Sequence, residues 1–409
     1  MSKALRVILL TSSYPQGAND SSSGFLYHLS RHLAHQGVAM HILAPSGTTA
    51  GTERDGGVTI TRFRYLPLRW QKLAYGSGIL PNLRRNPLLW LQVPFFMLAM
   101  TASLLHMRLK VRPHLIHAHW VLPQGLIAVM ACFLTRTPVV VSVHGTDAFG
   151  MRGRLLSTVK RFCLRHCNAW TSNTRATAKA VSQGRALPSP RIIPMGVDTE
   201  HFGSGSRHRL RDRLVHVDLI ILFVGRLIEN KGIVDLIRAF AQLPTELREK
   251  TNLWIIGQGE MESSLKTLTT ELSIGDRIVF WGEIPNDQLP DYYAAADLFV
   301  GPSVETPNRG AEGQGIVFIE AFAADLCVLA TRVGGIPEVV DDGRTGMLVS
   351  PRNPTELANA MQRLLSDPAL RQSLANNARV LARERYAWKK IASEFVALYR
   401  EITTNRNGE

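Results

Sequence analysis

Short, mostly apolar runs recur along the chain, each separated from the next by a segment long enough for a helix. LRVILLT, VAMHIL, HLIHAH and PVVVSV occupy the first half, and LIILFV, NLWIIG, RIVF, DLFVG and LCVLA the second. Strands that are apolar at successive positions are covered on both faces, the condition of a parallel sheet held between helices. The pattern predicts an α/β protein with two doubly wound sheets, one in each half. MGVDTEHFGSGS, 195–206, has the glycines, serines and turn formers of a connection between them. Near the C-terminus, YAWKKIASEFVALYREI repeats apolar residues at helical spacing. It predicts a closing helix over about 386–402 that packs back onto the first domain. The expected domains run over 1–200 and 201–385.

One stretch breaks the rhythm. LLWLQVPFFMLAMTASLLHM, 88–107, carries no charge for 20 residues and is long enough to cross a bilayer. Gln92, Pro94 and His106 interrupt it, and strand-like runs flank it on both sides. A span would put those strands in opposite compartments. A helix starting near Pro94 fits better, either as a core helix or touching lipid beside Arg84, Arg85, Arg108, Lys110 and Arg112. At the N-terminus the apolar run is about five residues, too short for a signal peptide and suited to a first strand.

At 409 residues the chain exceeds one ordinary core and suits two domains of about 200 residues each. Its net charge of +14 is unevenly distributed: residues 1–205 hold 23 Lys and Arg against 6 Asp and Glu, leaving 24 against 27 for the remainder. Between Gly56 and Thr146 there is no carboxylate but ten basic residues, and from Ala148 to Val197 nine more stand unopposed. Such a half attracts an anionic partner, whether phospholipid, a polyphosphate carrier or nucleic acid. No helix-turn-helix, zinc-finger or aromatic RNA-binding pattern accompanies the charge, which argues against nucleic acid. Cys132, Cys163, Cys167 and Cys327 form no paired framework and read as free thiols in a reducing compartment.

Ligands of doubly wound sheets bind beyond the carboxyl ends of the strands, so the loops that follow strands are the candidate site. SSYPQGANDSSSG, HGTD, GRLIENKG, GQGE and the segment from GPS to EGQG occupy those positions, and a cleft between the domains would be lined by all of them. Arg226 and Lys231 in GRLIENKG can grip a diphosphate, the one as a planar fork and the other as a point charge, or can simply be an exposed basic pair. In EGQGIVFIEAF, Gly313 and Gly315 allow close backbone approach, and a helix beginning near Ile316 aims amide groups at a phosphate. Glu320 would lie one turn inside that helix, within reach of hydroxyls. Glu312 precedes it on the loop, where a salt bridge to Arg309 is the structural alternative. A glycosidase-like acid and nucleophile pair would leave Arg226 and Lys231 without a task.

GRLIENKG, EGQGIVFIEA with its two spaced glutamates, and ATRVGGIPEVV, in that order, resemble the C-terminal half of family 4 glycosyltransferases of the GT-B fold. IHAHWVLPQG, VSVHGTDAF with His144, IIPMGVDTEHF and the loop bearing Gly24 agree over the first half. The resemblance covers nearly the whole chain. It implies two Rossmann-like domains facing across a cleft, and retaining transfer of a hexose from a UDP- or GDP-sugar without a metal. By that resemblance Arg226 and Lys231 neutralise the leaving diphosphate and Glu320 binds the ribose. Glu312 faces the donor sugar, with the amides of Gly313, Gly315, Ile316 and Val317 around sugar and phosphate. His144 contacts the sugar and helps place the acceptor, and Gly24 lets the first loop reach the diphosphate.

The resemblance also implies a lipid-linked (polyprenyl diphosphate) acceptor in cell-surface polysaccharide assembly, and a cytoplasmic enzyme peripheral to an anionic membrane face. The alternatives are a small soluble acceptor such as an inositol phosphate or sugar phosphate, or a catalytically silent scaffold or nucleic-acid-binding protein. Two positions depart from the family pattern. Gln314 stands where an aromatic residue is frequent and would alter the donor-sugar pocket. Asp325 stands where glycine is usual, at a turn that aspartate tolerates. The pair Asp341 and Asp342 before Gly343 reads as turn chemistry, not a metal site.

Overall fold

The computed structural model describes residues 4–16, 24–76, 78–150, 153–212 and 218–405. They divide into two compact units, residues 1–194 with 388–409, and residues 195–387.

The first unit contains β1 (Leu5–Leu10), β2 (Val38–Pro45), β3 (Gly51–Asp55), β4 (Val58–Phe63), β5 (Leu115–His119), β6 (Val139–Val143), β7 (Ala169–Ser172) and β8 (Arg191–Ile192). Their order is β3-β4-β2-β1-β5-β6-β7-β8, with every pairing parallel except the β3/β4 hairpin. The central strands β5 and β6 are buried along their whole length, including the polar His117, His119 and Ser142, as expected of strands covered on both faces. β3 is polar and exposed, which suits an edge that must not recruit another strand. The helix Trp388–Asn405 belongs to this unit and packs on the helix Gly24–His35, where Trp388 stacks on His28 at 6.0 Å.

Residues 87–111 form a 3-10 turn, Pro87–Gln92, followed by a helix, Val93–Val111. Phe96, Met100, Leu104 and Met107 line one buried face, and the Phe96 ring meets Phe63 at 5.6 Å and Tyr65 at 5.2 Å. Leu88, Leu91, Phe95, Leu98 and Leu109 lie on the exposed side. By length and hydropathy this segment could cross a membrane, yet one of its faces is built into the core of the unit.

The second unit contains β9 (Leu219–Val224), β10 (Thr251–Ile256), β11 (Ile278–Gly282), β12 (Leu298–Gly301), β13 (Val328–Thr331) and β14 (Met347–Val349), all parallel, in the order β11-β10-β9-β12-β13-β14. Its helices bury faces at helical spacing. In Ile233–Ala241 the buried residues Ile233, Leu236, Ile237 and Phe240 each contribute roughly 1.5–3 kcal/mol of burial before entropic cost. The chain reverses direction across the sheet at β9, which has β10 on one side and β12 on the other. In doubly wound sheets such a reversal marks the place where ligands bind, here beyond the carboxyl ends of β9 and β12.

Residues 195–206, expected as a connection, are instead built into this unit. Asp198 caps the short helix Thr199–Gly203, and Phe202 is buried edge-on to Tyr293 at 5.5 Å. Asp325 adopts φ 59°, the left-handed turn its neighbours demand. Asp342 accepts from the Leu348 amide and pairs with Arg332, so its carboxylate closes a turn.

Candidate active site

Three loops converge at the carboxyl ends of β9, β10 and β12, tied together by backbone hydrogen bonds. The Leu227 amide donates to Gln258 O at 2.9 Å, and the Val304 amide to Asn230 O at 2.9 Å. Gly232 (φ 70°) ends the 3-10 turn Glu229–Lys231, and a Cβ there would lie 1.8 Å from Pro302 O. Only glycine permits this crossing, which brings Lys231 against the loop after β12. Gly315 (φ 75°) likewise starts the helix Ile316–Ala323, where a Cβ would strike the Phe318 ring at 2.5 Å. The first-turn amides of that helix, at Ile316 and Val317, therefore stand at its positive end.

Lys231 forms an ion pair with Glu312. Burial alone would raise the Glu312 carboxyl, but the charge and hydrogen bond of Lys231, helped by Arg226, hold it below the usual carboxylate range. Arg226 is pushed down by burial and then by the charge of Arg309, against the pull of Glu312 and Glu260. The alternative pairing of Glu312 with Arg309 is not formed, because Arg309 bonds Glu260, on the loop after β10, at 2.6 Å. The structure thus brings Arg226, Lys231, Glu312, Gly313 and Gly315 together, with Glu260 and Arg309 as additions.

Glu320 lies one turn into the same helix and accepts a hydrogen bond from Tyr293 Oη at 2.7 Å. Burial raises its carboxyl to about 7, against the opposing effects of Tyr293 and His201. Gln314, which stands where the family often has an aromatic residue, is buried. Its amide exchanges two hydrogen bonds with the Met195 backbone, at 2.8 and 3.0 Å, one through each of its oxygen and nitrogen.

The raised carboxyl of Glu320 has a pH signature. Between about 4.5 and 7 the folded chain holds a proton that the unfolded chain has released, so the stabilisation is complete below 4.5 and is lost as pH rises through 7. Asp147, raised from 3.8 to about 7, acts in the same direction. Buried neutral His117, His119 and His144 act in the opposite direction up to about pH 6.5, so the Glu320 contribution is read as a difference: the thermal midpoint of the parent minus that of Glu320→Gln is expected to fall from about pH 5 to about pH 8. A parent-minus-variant difference that stays flat or climbs over this window in differential scanning calorimetry contradicts the assignment.

In the first unit, His144 follows β6, and its Nε2 lies 3.1 Å from His119 Nδ1 at the end of β5. The two rings stack at 5.3 Å, and Phe25, next to Gly24, packs on His144 at 5.1 Å. Burial pushes His144 down to about 4, so it is neutral at physiological pH. Gly24 is the first residue of the helix Gly24–His35, with open space around it, while the loop at 17–23 lies outside the described residues. HGTD drew attention to its histidine, but its aspartate holds the geometry. Asp147 is fully buried, accepting the Val121 amide at Oδ1 and the His144 amide at Oδ2, each at 3.1 Å. An acid four residues after the strand, alone in a carboxylate-free stretch, was the signal for it.

The profile described as Glycosyltransferase Family 4 matches residues 23–201, and that described as Glycosyl transferases group 1 matches residues 208–381. A GDP-mannose-dependent alpha-(1-6)-phosphatidylinositol monomannoside mannosyltransferase from Mycolicibacterium smegmatis is 32% identical over 65% of this chain and 71% of its own length. A D-inositol 3-phosphate glycosyltransferase from Acidothermus cellulolyticus is 29% identical over 93% of this chain and 86% of its own. Among solved structures, sucrose-phosphate synthase from Thermosynechococcus elongatus superposes with a TM-score of 0.79, at 24% identity, over 98% of this chain and 100% of that one. Two parallel Rossmann-like sheets matching that enzyme make the fold GT-B. Enzymes of this family take nucleotide-sugar donors without a metal cofactor. The chain belongs to the family 4 (group 1) glycosyltransferases and is a retaining hexosyltransferase acting on a nucleotide-sugar donor.

Proposed function

We propose that the enzyme moves a hexose from a UDP- or GDP-sugar to a polyprenyl-diphosphate-linked saccharide, at the anionic inner face of the plasma membrane, in cell-surface polysaccharide assembly. In this reading Arg226 and Lys231 hold the diphosphate and stabilise the charge that grows on it as the glycosidic bond breaks. The amides of Gly313, Gly315, Ile316 and Val317 surround phosphate and sugar, Glu312 accepts from sugar hydroxyls, and Glu320 accepts from the ribose. The first unit, with Gly24 and His144, serves the acceptor and the membrane.

The observation that carries the membrane part is the exposed surface of the first unit. Leu88, Leu91, Leu98, Leu134 and Leu155 are each about 70% exposed or more, as large apolar residues seldom are. Helix Leu126–Thr135 packs between Val93–Val111 and Arg154–His166, with Phe133 and Phe162 in contact at 6.2 Å. Between Gly57 and Val197 the sole carboxylate is Asp147, which is fully buried, so the surface of this stretch presents positive charge alone. Apolar side chains amid unopposed cations suit an interface of anionic headgroups over acyl chains. The Mycolicibacterium relative is named for a phosphatidylinositol-based acceptor, which agrees.

A soluble inositol phosphate or sugar phosphate is the second reading, favoured by the name of the Acidothermus relative. Co-sedimentation with phosphatidylglycerol vesicles separates the two. Binding is expected below about 0.1 M salt, to be lost near 1 M where screening is almost complete. Leu88→Ser combined with Leu91→Ser should weaken it about tenfold or more. A protein that ignores anionic vesicles at low salt, yet glycosylates a soluble phosphate, would sink the lipid reading.

A further inference from the structure

Three cations, Arg226, Lys231 and Arg309, stand on the loops that follow β9 and β12. Arg226 is disfavoured as a cation both by burial and by Arg309. Like charges held close are stable together only when an anion joins them. Lys231 has Glu312 for a partner, and Arg309 has Glu260, each carboxylate supplied by another loop.

We propose that Arg309 is a third ligand of the donor diphosphate, parked on Glu260 until the nucleotide arrives. The inference rests on reading this cluster as the donor site. Two features distinguish the pair from an ordinary latch. Arg309 is rooted in a closed turn: its amide donates to Thr306 Oγ1 at 3.2 Å, and Thr306 and Gly310 exchange backbone hydrogen bonds at 2.8 and 3.1 Å. Its side chain is 26% exposed while that of Glu260 is 59% exposed. Arg309 is thus the anchored member, and Glu260 the one that solvent can take over at little cost. A diphosphate offers the guanidinium fork the same paired-oxygen geometry as a carboxylate, with more negative charge. On binding, the guanidinium exchanges Glu260 for phosphate oxygens, and Glu260 swings to water. Glu260 then acts as a competitor that sets the affinity at which a donor is accepted.

Calorimetric titration of the full chain with UDP, GDP and the uncharged nucleosides uridine and guanosine tests this. Arg309→Ala should weaken binding of the cognate diphosphate about tenfold or more and leave its nucleoside unchanged. Arg309→Lys, which keeps the charge but loses the fork, should fall between. Glu260→Gln should tighten diphosphate binding about threefold by removing the competitor. The proposal is overturned if Arg309→Ala melts like the parent and binds the diphosphate within about twofold of it. It is equally overturned if Glu260→Gln weakens binding as much as Arg309→Ala, the signature of a purely structural bridge. If the parent binds neither diphosphate and Lys231→Ala behaves identically, the donor-site reading itself fails, a result distinct from these two.

Discussion

Lys231→Ala is expected to lower sugar transfer about 10²- to 10³-fold, the usual loss when one preorganised donor to a developing negative charge is removed. Lys231 is the last residue of its turn, and Gly232 fixes its direction by a crossing that no other residue permits. Its ammonium meets Glu312 with both side chains less than 20% exposed, so the charge acts in a medium that screens poorly. In the variant, Glu312 keeps Arg226 nearby but loses its direct partner, which should cost about 1–3 kcal/mol of stability. The double variant Lys231→Ala with Glu312→Ala separates the two effects, because it removes the orphaned carboxylate. Stability should then recover while turnover stays low. Parent-like turnover in Lys231→Ala, measured with saturating donor, would remove the lysine from the diphosphate.

The residues needed for this result were legible in the chain, but their pairing was not. Arg226, Lys231, Glu312 and Glu320 stand on loops that follow strands and at the helix start beyond them, the candidate positions of a doubly wound sheet, and the resemblance, not their spacing, supplied their expected roles. That Lys231 meets Glu312, 81 positions on, and that Arg309 meets Glu260, 49 positions back, follows from the reversal of strand order at β9, which sequence spacing does not encode. Strand detection failed for a related reason. Nine of the fourteen strands could be read from mostly apolar runs, whereas β3 is polar throughout, β4 alternates apolar with polar residues, and β7, β8 and β14 span four residues or fewer. Those strands owe their existence to neighbours that supply hydrogen bonds. The uncharged stretch at 88–107 was ambiguous because its exposed face is as apolar as its buried one, and only packing against Phe63 and Tyr65 distinguishes them.

Asp147→Ala is expected to destabilise the first unit by about 3–5 kcal/mol, since each buried donor left unpaired costs about 1–3 kcal/mol and two amides lose their acceptor. The carboxylate spans two loops: Oδ1 takes the Val121 amide just after β5, and Oδ2 the His144 amide just after β6. Its own backbone carbonyl accepts from Lys160 Nζ at 2.8 Å, and the Lys160 side chain is completely buried. Alanine leaves two interior amides without acceptors and takes from Lys160 a carboxylate that favours its charge. For a unit of this size that loss corresponds to a fall of roughly 10 °C in its melting transition. Asn should lie between, since its oxygen can accept one amide while its NH2 group opposes the other. On the role proposed for His144, the same change also reaches function, because Asp147 holds the His144 backbone amide and the His144 ring lies against His119. With both loops released, transfer should fall even well below the melting temperature of the variant. Full activity there would mean that His144 keeps its place without the aspartate, and that the HGTD turn is held by its backbone alone.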